Sequence, residues 1–173
     1  DKLVNLKILH LANFYNVDDK DNVISEVTGT LPDISKMPQL EYIDASYSNL
    51  SGQLPEQIGL CRNLQVLELS ANQLTGSIPA SISECTELQI FSVQDNKMSG
   101  EIPDLSALIN LGKPLDLGLG VTEPGRLYLN SNHFTGSFPE SVVMLPRLQR
   151  FSCADNKLTG SLPEDLSTME DCE

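Results

Sequence analysis

Two histidines, His10 and His133, are the natural starting points for any catalytic chemistry in this chain of 173 residues. With strands placed as described below, His10 should lie beside Asp44, and Ser92 should lie two strands beyond Glu68. A Ser–His–Asp triad needs hydrogen-bond contact between successive members, which this spacing does not give. The chain has no phosphate-binding glycine loop, no Cys-x-x-Cys and no His-Glu-x-x-His. We therefore predict no catalytic site, no metal and no cofactor.

The acidic segment from Phe14 to Ser25 is the one place where the sequence raises the question of a metal ion. Asp18, Asp19 and Asp21 supply clustered carboxylates, which hard cations such as calcium prefer. The segment lacks the glycine and the distal glutamate of an EF-hand loop. We interpret it as a solvated acidic insertion of 11 residues.

A repeat of 24 residues sets the elements that must position these side chains. Asn72 and Asn96 stand 24 residues apart, as do Asn132 and Asn156, and each opens a similar segment, such as NQLTGSIP. The distance of 36 residues from Asn96 to Asn132 is one period plus an insertion. About six copies with two insertions predict a solenoid of stacked repeats.

The same period predicts which residues are buried. Leu64, Leu67 and Leu69 are inward positions, with Glu68 between the last two, which is typical of a short strand with one buried face. Such strands stack at roughly 4.8 Å and bury a shared core. A side-chain amide both donates and accepts hydrogen bonds. The four asparagines should therefore form a buried structural ladder where the chain leaves the sheet.

Composition narrows the range of partners. The formal net charge is −13, which argues against nucleic acid and against anionic membrane surfaces as partners. No run of apolar residues is long enough to span a bilayer, so we predict no direct membrane insertion by this segment. Hydrophobic residues make up 40% of the chain, enough for a real core.

The pattern Leu-x-x-Leu-x-Leu-x-x-Asn-x-Leu in residues 64–74 resembles the leucine-rich repeat. The Thr-Gly-Ser-Ile-Pro that follows resembles the plant-type subclass, which occurs in receptor-kinase ectodomains, receptor-like proteins and polygalacturonase inhibitors. The resemblance covers nearly all of the chain. It implies a leucine-rich repeat solenoid, with a parallel β-sheet on the concave face and turns and short 3-10 or α segments on the convex face.

The resemblance also implies a function. Residues 1–173 should form a single leucine-rich repeat domain, and the absence of polar caps predicts that it is part of a longer array. The expected role is non-catalytic protein or peptide recognition by a receptor-like or secreted protein at the cell surface. Two alternatives stay open: a structural or assembly subunit of a larger extracellular or organellar complex, and a protein inhibitor of a secreted hydrolase.

The strands should leave rows of exposed side chains on the concave face. Tyrosine and arginine are residue types that anchor interfaces. Acidic residues stand toward the start of the rows and arginines toward the end, which suits an extended protein or peptide; a solvated face with binding elsewhere is the alternative. The predicted partner-binding residues are Tyr42, Asp44, Val66, Glu68, Ile90, Arg126, Tyr128 and Arg150.

The sequence also contains one possible glycosylation site and one pair of cysteines in matching positions. Asn49-Leu50-Ser51 is the one Asn-x-Ser/Thr sequence, so Asn49 is a predicted glycosylation site, unless the repeat motif creates it by chance. Cys61 and Cys85 occupy the same position in adjacent repeats; a disulfide is possible, but plant-type repeats resembling these often carry free cysteines there, and we expect free thiols.

The second insertion, residues 112–124, reads GKPLDLGLGVTEP. Its glycines and prolines predict a loop or an irregular extra turn. Members of the family that these repeats resemble build ligand pockets from such insertions. A surface loop that the fold tolerates is the simpler alternative.

Overall fold

The computed structural model describes residues 3–12, 28–118 and 120–164. Within them the strands, in chain order, are β1 (Ile8–His10), β2 (Gly29–Thr30), β3 (Tyr42–Asp44), β4 (Leu50–Gln53), β5 (Val66–Glu68), β6 (Gln73–Thr75), β7 (Ile90–Ser92), β8 (Ser99–Glu101), β9 (Leu115–Gly118), β10 (Val121–Glu123), β11 (Arg126–Tyr128), β12 (His133–Thr135) and β13 (Phe151–Ser152).

One parallel sheet runs the length of the solenoid. It contains six strands in the order β1-β3-β5-β7-β11-β13. The register is regular, since Ile43 pairs with Leu67, and Leu67 pairs with Phe91. These central side chains are buried in one continuous core, because the alternation of each strand turns them inward. The predicted parallel sheet is confirmed.

From the second repeat onward, a residue in the left-handed region turns the chain out of this sheet. Ala71 has a φ of 53° and Asp95 a φ of 54°. The asparagine that follows satisfies the backbone at the turn. Asn72 Oδ1 accepts from the Leu50 amide at 2.8 Å, and its Nδ2 donates to the Ala45 carbonyl at 2.7 Å. Both partners belong to the preceding repeat, so the side chain joins two repeats.

The asparagine ladder continues across the second insertion. Asn132 Oδ1 accepts from the Met98 amide at 2.9 Å, and its Nδ2 donates to the Val93 carbonyl at 2.8 Å. Asn156 makes the same two kinds of bond to the repeat before it. Ser48, which replaces the asparagine in the second repeat, donates through Oγ to a carbonyl of the first.

The strands that follow the ladder form a second layer that the sequence analysis did not predict. β2, β4 and β6 form one short parallel sheet, and β8 pairs with β12 in another. Their central apolar residues, such as Leu74 and Phe134, are buried in the main core. The first five repeats therefore leave the main sheet through a second short strand and not through turns alone, and the sixth makes a single bridge between Thr159 and Ser137.

Short 3-10 segments complete the repeats on the convex side. They are Ile34–Lys36, Glu56–Leu60, Ala80–Glu84 and Glu140–Val142. Pro55 and Pro79 precede two of them, and proline suits this place because its fixed φ fits and its missing N–H would have no partner there. The predicted short 3-10 segments are confirmed.

The two cysteines in matching positions are buried free thiols. Cys85 Sγ donates to the Ile58 carbonyl of the preceding repeat at 3.3 Å. Burial raises the pKa of Cys85 to about 12, and the nearby Cys61 and Glu84 add to the rise. The thiol therefore stays protonated at neutral pH and keeps this donor. The expectation of free thiols is confirmed.

Candidate functional site

The second insertion forms a β-hairpin and not the loop or irregular turn that we expected. β9 and β10 pair in antiparallel fashion. Leu115 of the hairpin packs on Val66 and Ile90, with Tyr42 against the same cluster. Val66 is 2% exposed and Ile90 is fully buried. The predicted exposure of these two side chains is therefore wrong, because the hairpin covers them and removes their apolar surface from water. The predicted exposure of Asp44 and Glu68 is also wrong, since both residues are buried in the wall beside it.

Two glycines close the base of the hairpin where no side chain fits. A Cβ on Gly125 would lie 2.2 Å from the carbonyl carbon of Gly112. A Cβ on Gly112 would lie 2.3 Å from the carbonyl oxygen of Arg147, and Gly112 has a φ of 93°. The approach of Gly125 to Gly112 joins the two ends of the insertion, directly before Arg126, the first residue of β11.

Arg126 ties the hairpin to the sheet. Its Nη1 donates to Glu123 on β10 and its Nη2 to Glu68 on β5, both at 2.7 Å. The side chain is 19% exposed and that of Glu68 is 11% exposed. Burial opposes the guanidinium charge, but the hydrogen bonds and charges of Glu123 and Glu68 outweigh it, so the pKa of Arg126 is raised. The guanidinium carbon also lies 5.9 Å from the centre of the Tyr128 ring, within cation–π range.

A cavity of about 330 Å³ lies on the concave face between the hairpin and the strands. Of the predicted partner-binding residues, its wall contains Tyr42, Asp44, Val66, Glu68, Arg126 and Tyr128. Ile90 lies beneath the hairpin, and Arg150 is outside the lining. The structure thus brings six of the eight predicted residues to one place, although three of them, Val66, Asp44 and Glu68, are buried.

The prediction missed part of the lining. Ser70, Ser92 and Gln94 occupy the expected face, but their types alone gave no reason to select them. Tyr47 lines the cavity from the left-handed turn after β3, where its φ is 54°. Glu123 could not be found from the repeat pattern, because it reaches the cavity only through the fold of the hairpin.

The structure gives no triad among its described residues. His10 Nδ1 lies 3.8 Å from Asp44 Oδ2, which places the two side chains together as predicted. Ser92 is directly beside Glu68 on the adjacent strand, so the expected separation of two strands is wrong. The order β3-β5-β7 nevertheless keeps Ser92 two strands from Asp44. The three groups are not in hydrogen-bond contact.

We also searched the described parts of the chain for a metal site, a membrane-spanning helix and a second cavity. No three His, Cys, Asp or Glu side chains there lie close enough to share a metal ion, and the segment from Phe14 to Ser25 lies outside the described residues. None of the described helices has the length and apolar character needed to cross a bilayer. A second cavity of about 300 Å³ is lined by residues between Phe138 and Leu162. Its lining lies close in sequence to residues 165–173, which are outside the described part of the chain, and we assign it no function.

Comparison with known proteins agrees with this architecture. Residues 39–61, 63–85 and 147–169 match the family model described as Leucine Rich Repeat. The chain is 30% identical to the leucine-rich repeat ectodomain of the receptor kinase GASSHO1/SCHENGEN3 from Arabidopsis thaliana, solved with CASPARIAN STRIP INTEGRITY FACTOR 2. The TM-score is 0.74, and the match covers 84% of this chain and 16% of that one. This is a plant-type leucine-rich repeat chain.

Further similar structures support the same family. The Arabidopsis receptor kinase HAESA, solved with the peptide hormone IDA and the co-receptor SERK1, is 27% identical to the leucine-rich repeat chain, with a TM-score of 0.78 over 96% of this chain and 24% of that one. A plant ice-binding protein, 24% identical with a TM-score of 0.72 over 96% of this chain and 46% of that one, shares the fold. The chain thus spans less than a quarter of the two receptor ectodomains. No curated protein matches the sequence.

Proposed function

We propose that this leucine-rich repeat chain is a non-catalytic module that binds a protein or peptide across its concave face, as part of a receptor-like or secreted protein at the cell surface. The cavity beside the hairpin carries this proposal. At about 330 Å³ it lies at the lower end of the roughly 300–1,000 Å³ range of ligand sites. Such a volume suits one side chain of a larger partner better than a whole cofactor.

The similar structures also favour protein or peptide binding. HAESA was solved with a peptide hormone and a co-receptor, and GASSHO1/SCHENGEN3 with a named factor. In this chain the insertion folds over the sheet and leaves a polar, tyrosine-lined depression between the hairpin and the strands. Aromatic and arginine side chains around a partly buried depression are typical of protein-binding surfaces.

Gln94→Trp tests the location of the binding face. Gln94 is half-buried in the cavity wall, and an indole there fills space that a partner would occupy. Peptides selected on the unaltered chain from a random display library should bind the variant at least about tenfold more weakly, a loss of about 1.4 kcal/mol. Fluorescence anisotropy with the synthetic peptides measures the change.

Gln57→Trp is the matched control, because Gln57 is exposed on the convex segment Glu56–Leu60. It should change the affinity by less than about twofold, as expected for a residue outside the contact. Peptides that bind both tryptophan variants equally would move the site off the concave face. A selection that returns no peptide binders would favour the structural or assembly role.

Asn49 provides a test of the secretory route. Its side chain is exposed, and its Oδ1 accepts a hydrogen bond from Gln73, which leaves Nδ2 for a glycan. We propose that Asn49 is glycosylated when the chain passes through a eukaryotic secretory pathway. The intact mass should then exceed 18.9 kDa and fall to that value after glycosidase treatment. Asn49→Gln should show no such fall, and an unmodified mass for the natural sequence would contradict the proposal.

A further inference from the structure

The cavity beside the hairpin is short of positive charge. Three carboxylates, those of Asp44, Glu68 and Glu123, line it together with one guanidinium, that of Arg126. Arg126 is already bonded to Glu68 and Glu123 at 2.7 Å each. The lining therefore retains a net excess of two negative charges, and Asp44 is the carboxylate that Arg126 does not reach.

Asp44 has hydrogen bonds on one of its two oxygens. Oδ1 accepts from the Ser46 amide at 3.0 Å and from the Ser46 hydroxyl at 2.7 Å. Oδ2 lies 3.8 Å from His10 Nδ1, which is too far for a hydrogen bond. The residue is buried. Asp44 lines the cavity, so a cationic donor that enters the cavity can form a charge-assisted hydrogen bond with its carboxylate.

Ser92 offers a second, independent sign of a missing ligand group. Its side chain is buried, at 1% exposure, and lines the cavity. Its Oγ has no hydrogen-bond partner, and it is the one such buried side-chain atom in the described residues. A buried polar atom without a partner is costly, so a ligand that supplies one gains affinity at this point.

The walls of the cavity favour an organic cation. The rings of Tyr42, Tyr47 and Tyr128 line it, and aromatic faces attract ammonium and guanidinium groups. The pKa of Tyr42 is raised by burial and then by the charges of Asp44, Glu123 and Glu68, with Arg126 opposing them. Three of the four charged neighbours of this ring are thus carboxylates.

We infer that the cavity receives a lysine or arginine side chain from an extended peptide segment of the partner, an inference that rests on the proposed function. The cationic head bonds to Asp44 Oδ2. Asp44 and Ser92 are two strand spacings apart, about 10 Å, so one group does not reach both. A second polar group of the same segment bonds to Ser92 Oγ, which requires a ligand that crosses the strands and not a simple ion.

Asp44→Asn isolates the charge, because the amide oxygen can still accept from Ser46. The probes are the library-selected peptides, together with acetyl-arginine amide and acetyl-citrulline amide as a charged and a neutral isostere. Selected peptides should be enriched in lysine or arginine and should bind Asp44→Asn about tenfold more weakly, since a charge-assisted hydrogen bond is lost. In NMR titrations the arginine amide should shift resonances of the cavity residues, whereas the citrulline amide should not.

Two further variants keep the result interpretable. Asp95→Asn makes the same chemical change at an exposed position outside the cavity and should alter binding by less than about twofold. Ser92→Ala removes a hydroxyl that has no partner in the free chain, so it should fold normally and still weaken peptide binding by about threefold.

The outcomes separate this inference from the function on which it rests. Peptides that lose binding on Gln94→Trp, yet bind Asp44→Asn as well as the unaltered chain and tolerate citrulline in place of the basic residue, overturn the basic-side-chain inference and leave the proposed function standing. Peptides that bind Gln94→Trp normally overturn both.

Discussion

Arg126→Met is expected to lower the free energy of unfolding by about 3 kcal/mol, because it leaves the Glu68 carboxylate without its cation in a site with little access to water. Arg126 and Glu68 are 19% and 11% exposed, and the hydrogen bond between them is 2.7 Å. Methionine keeps an aliphatic stem of similar reach, so most of the loss is electrostatic. Urea unfolding measures it. Limited proteolysis within residues 113–124 should also become faster, because the bond from Arg126 to Glu123 no longer holds the hairpin.

Arg62→Met is the matched control. Arg62 pairs with Glu84 at 3.4 Å, but the two side chains are 75% and 57% exposed. Such a pair contributes little, so the loss should stay below about 0.5 kcal/mol. Adding Glu68→Gln to Arg126→Met should recover part of the stability, since the amide removes the unpaired charge. Equal losses from Arg62→Met and Arg126→Met would contradict the role given to Arg126.

Asn96→Ala should lower the free energy of unfolding by about 2 kcal/mol, within the range for leaving a buried polar group unsatisfied. Asn96 Oδ1 accepts from the Leu74 amide at 2.9 Å, and Nδ2 donates to the carbonyls of Leu69, Val93 and Gln94. Each of these carbonyls keeps another donor. The cost therefore comes mainly from the Leu74 amide.

The urea midpoint of the Asn96→Ala variant measures this loss, with Asn63→Ala as the control. Asn63 is exposed and makes one long side-chain bond, 3.4 Å to Gln39. Its substitution should cost less than about 0.5 kcal/mol. An unchanged midpoint for Asn96→Ala would mean that water replaces the amide at the turn and that the ladder does not stabilise the stack.

The hairpin acts on the concave face in two ways. It covers the apolar pair Val66 and Ile90 through Leu115, and it brings Glu123 to the cavity. The same insertion thus removes one predicted contact surface and builds another beside it. Arg126 connects the two effects, because its guanidinium bonds to a hairpin residue and to a residue of the sheet.

The sequence by itself determined the features that repeat. The 24-residue spacing of Asn72 and Asn96 was enough to predict the parallel strands, the inward leucines and the bonds that join adjacent repeats. The matching positions of Cys61 and Cys85 were enough to place two buried side chains. These features depend on contacts between equivalent residues one repeat apart, so a local pattern specifies them.

Only the tertiary structure decided what the insertion does. Nothing in GKPLDLGLGVTEP indicates that Leu115 will cover Val66 and Ile90 or that Glu123 will meet Arg126. The path of the segment depends on the close approach of Gly125 to Gly112, an approach that the repeat period does not encode. The exposure of the concave face was therefore predicted wrongly at Val66, Ile90, Asp44 and Glu68, and the cavity with its excess of acid was not foreseen. Periodic contacts can be read from spacing, whereas a single non-repeating contact exists only once the chain has folded back on itself.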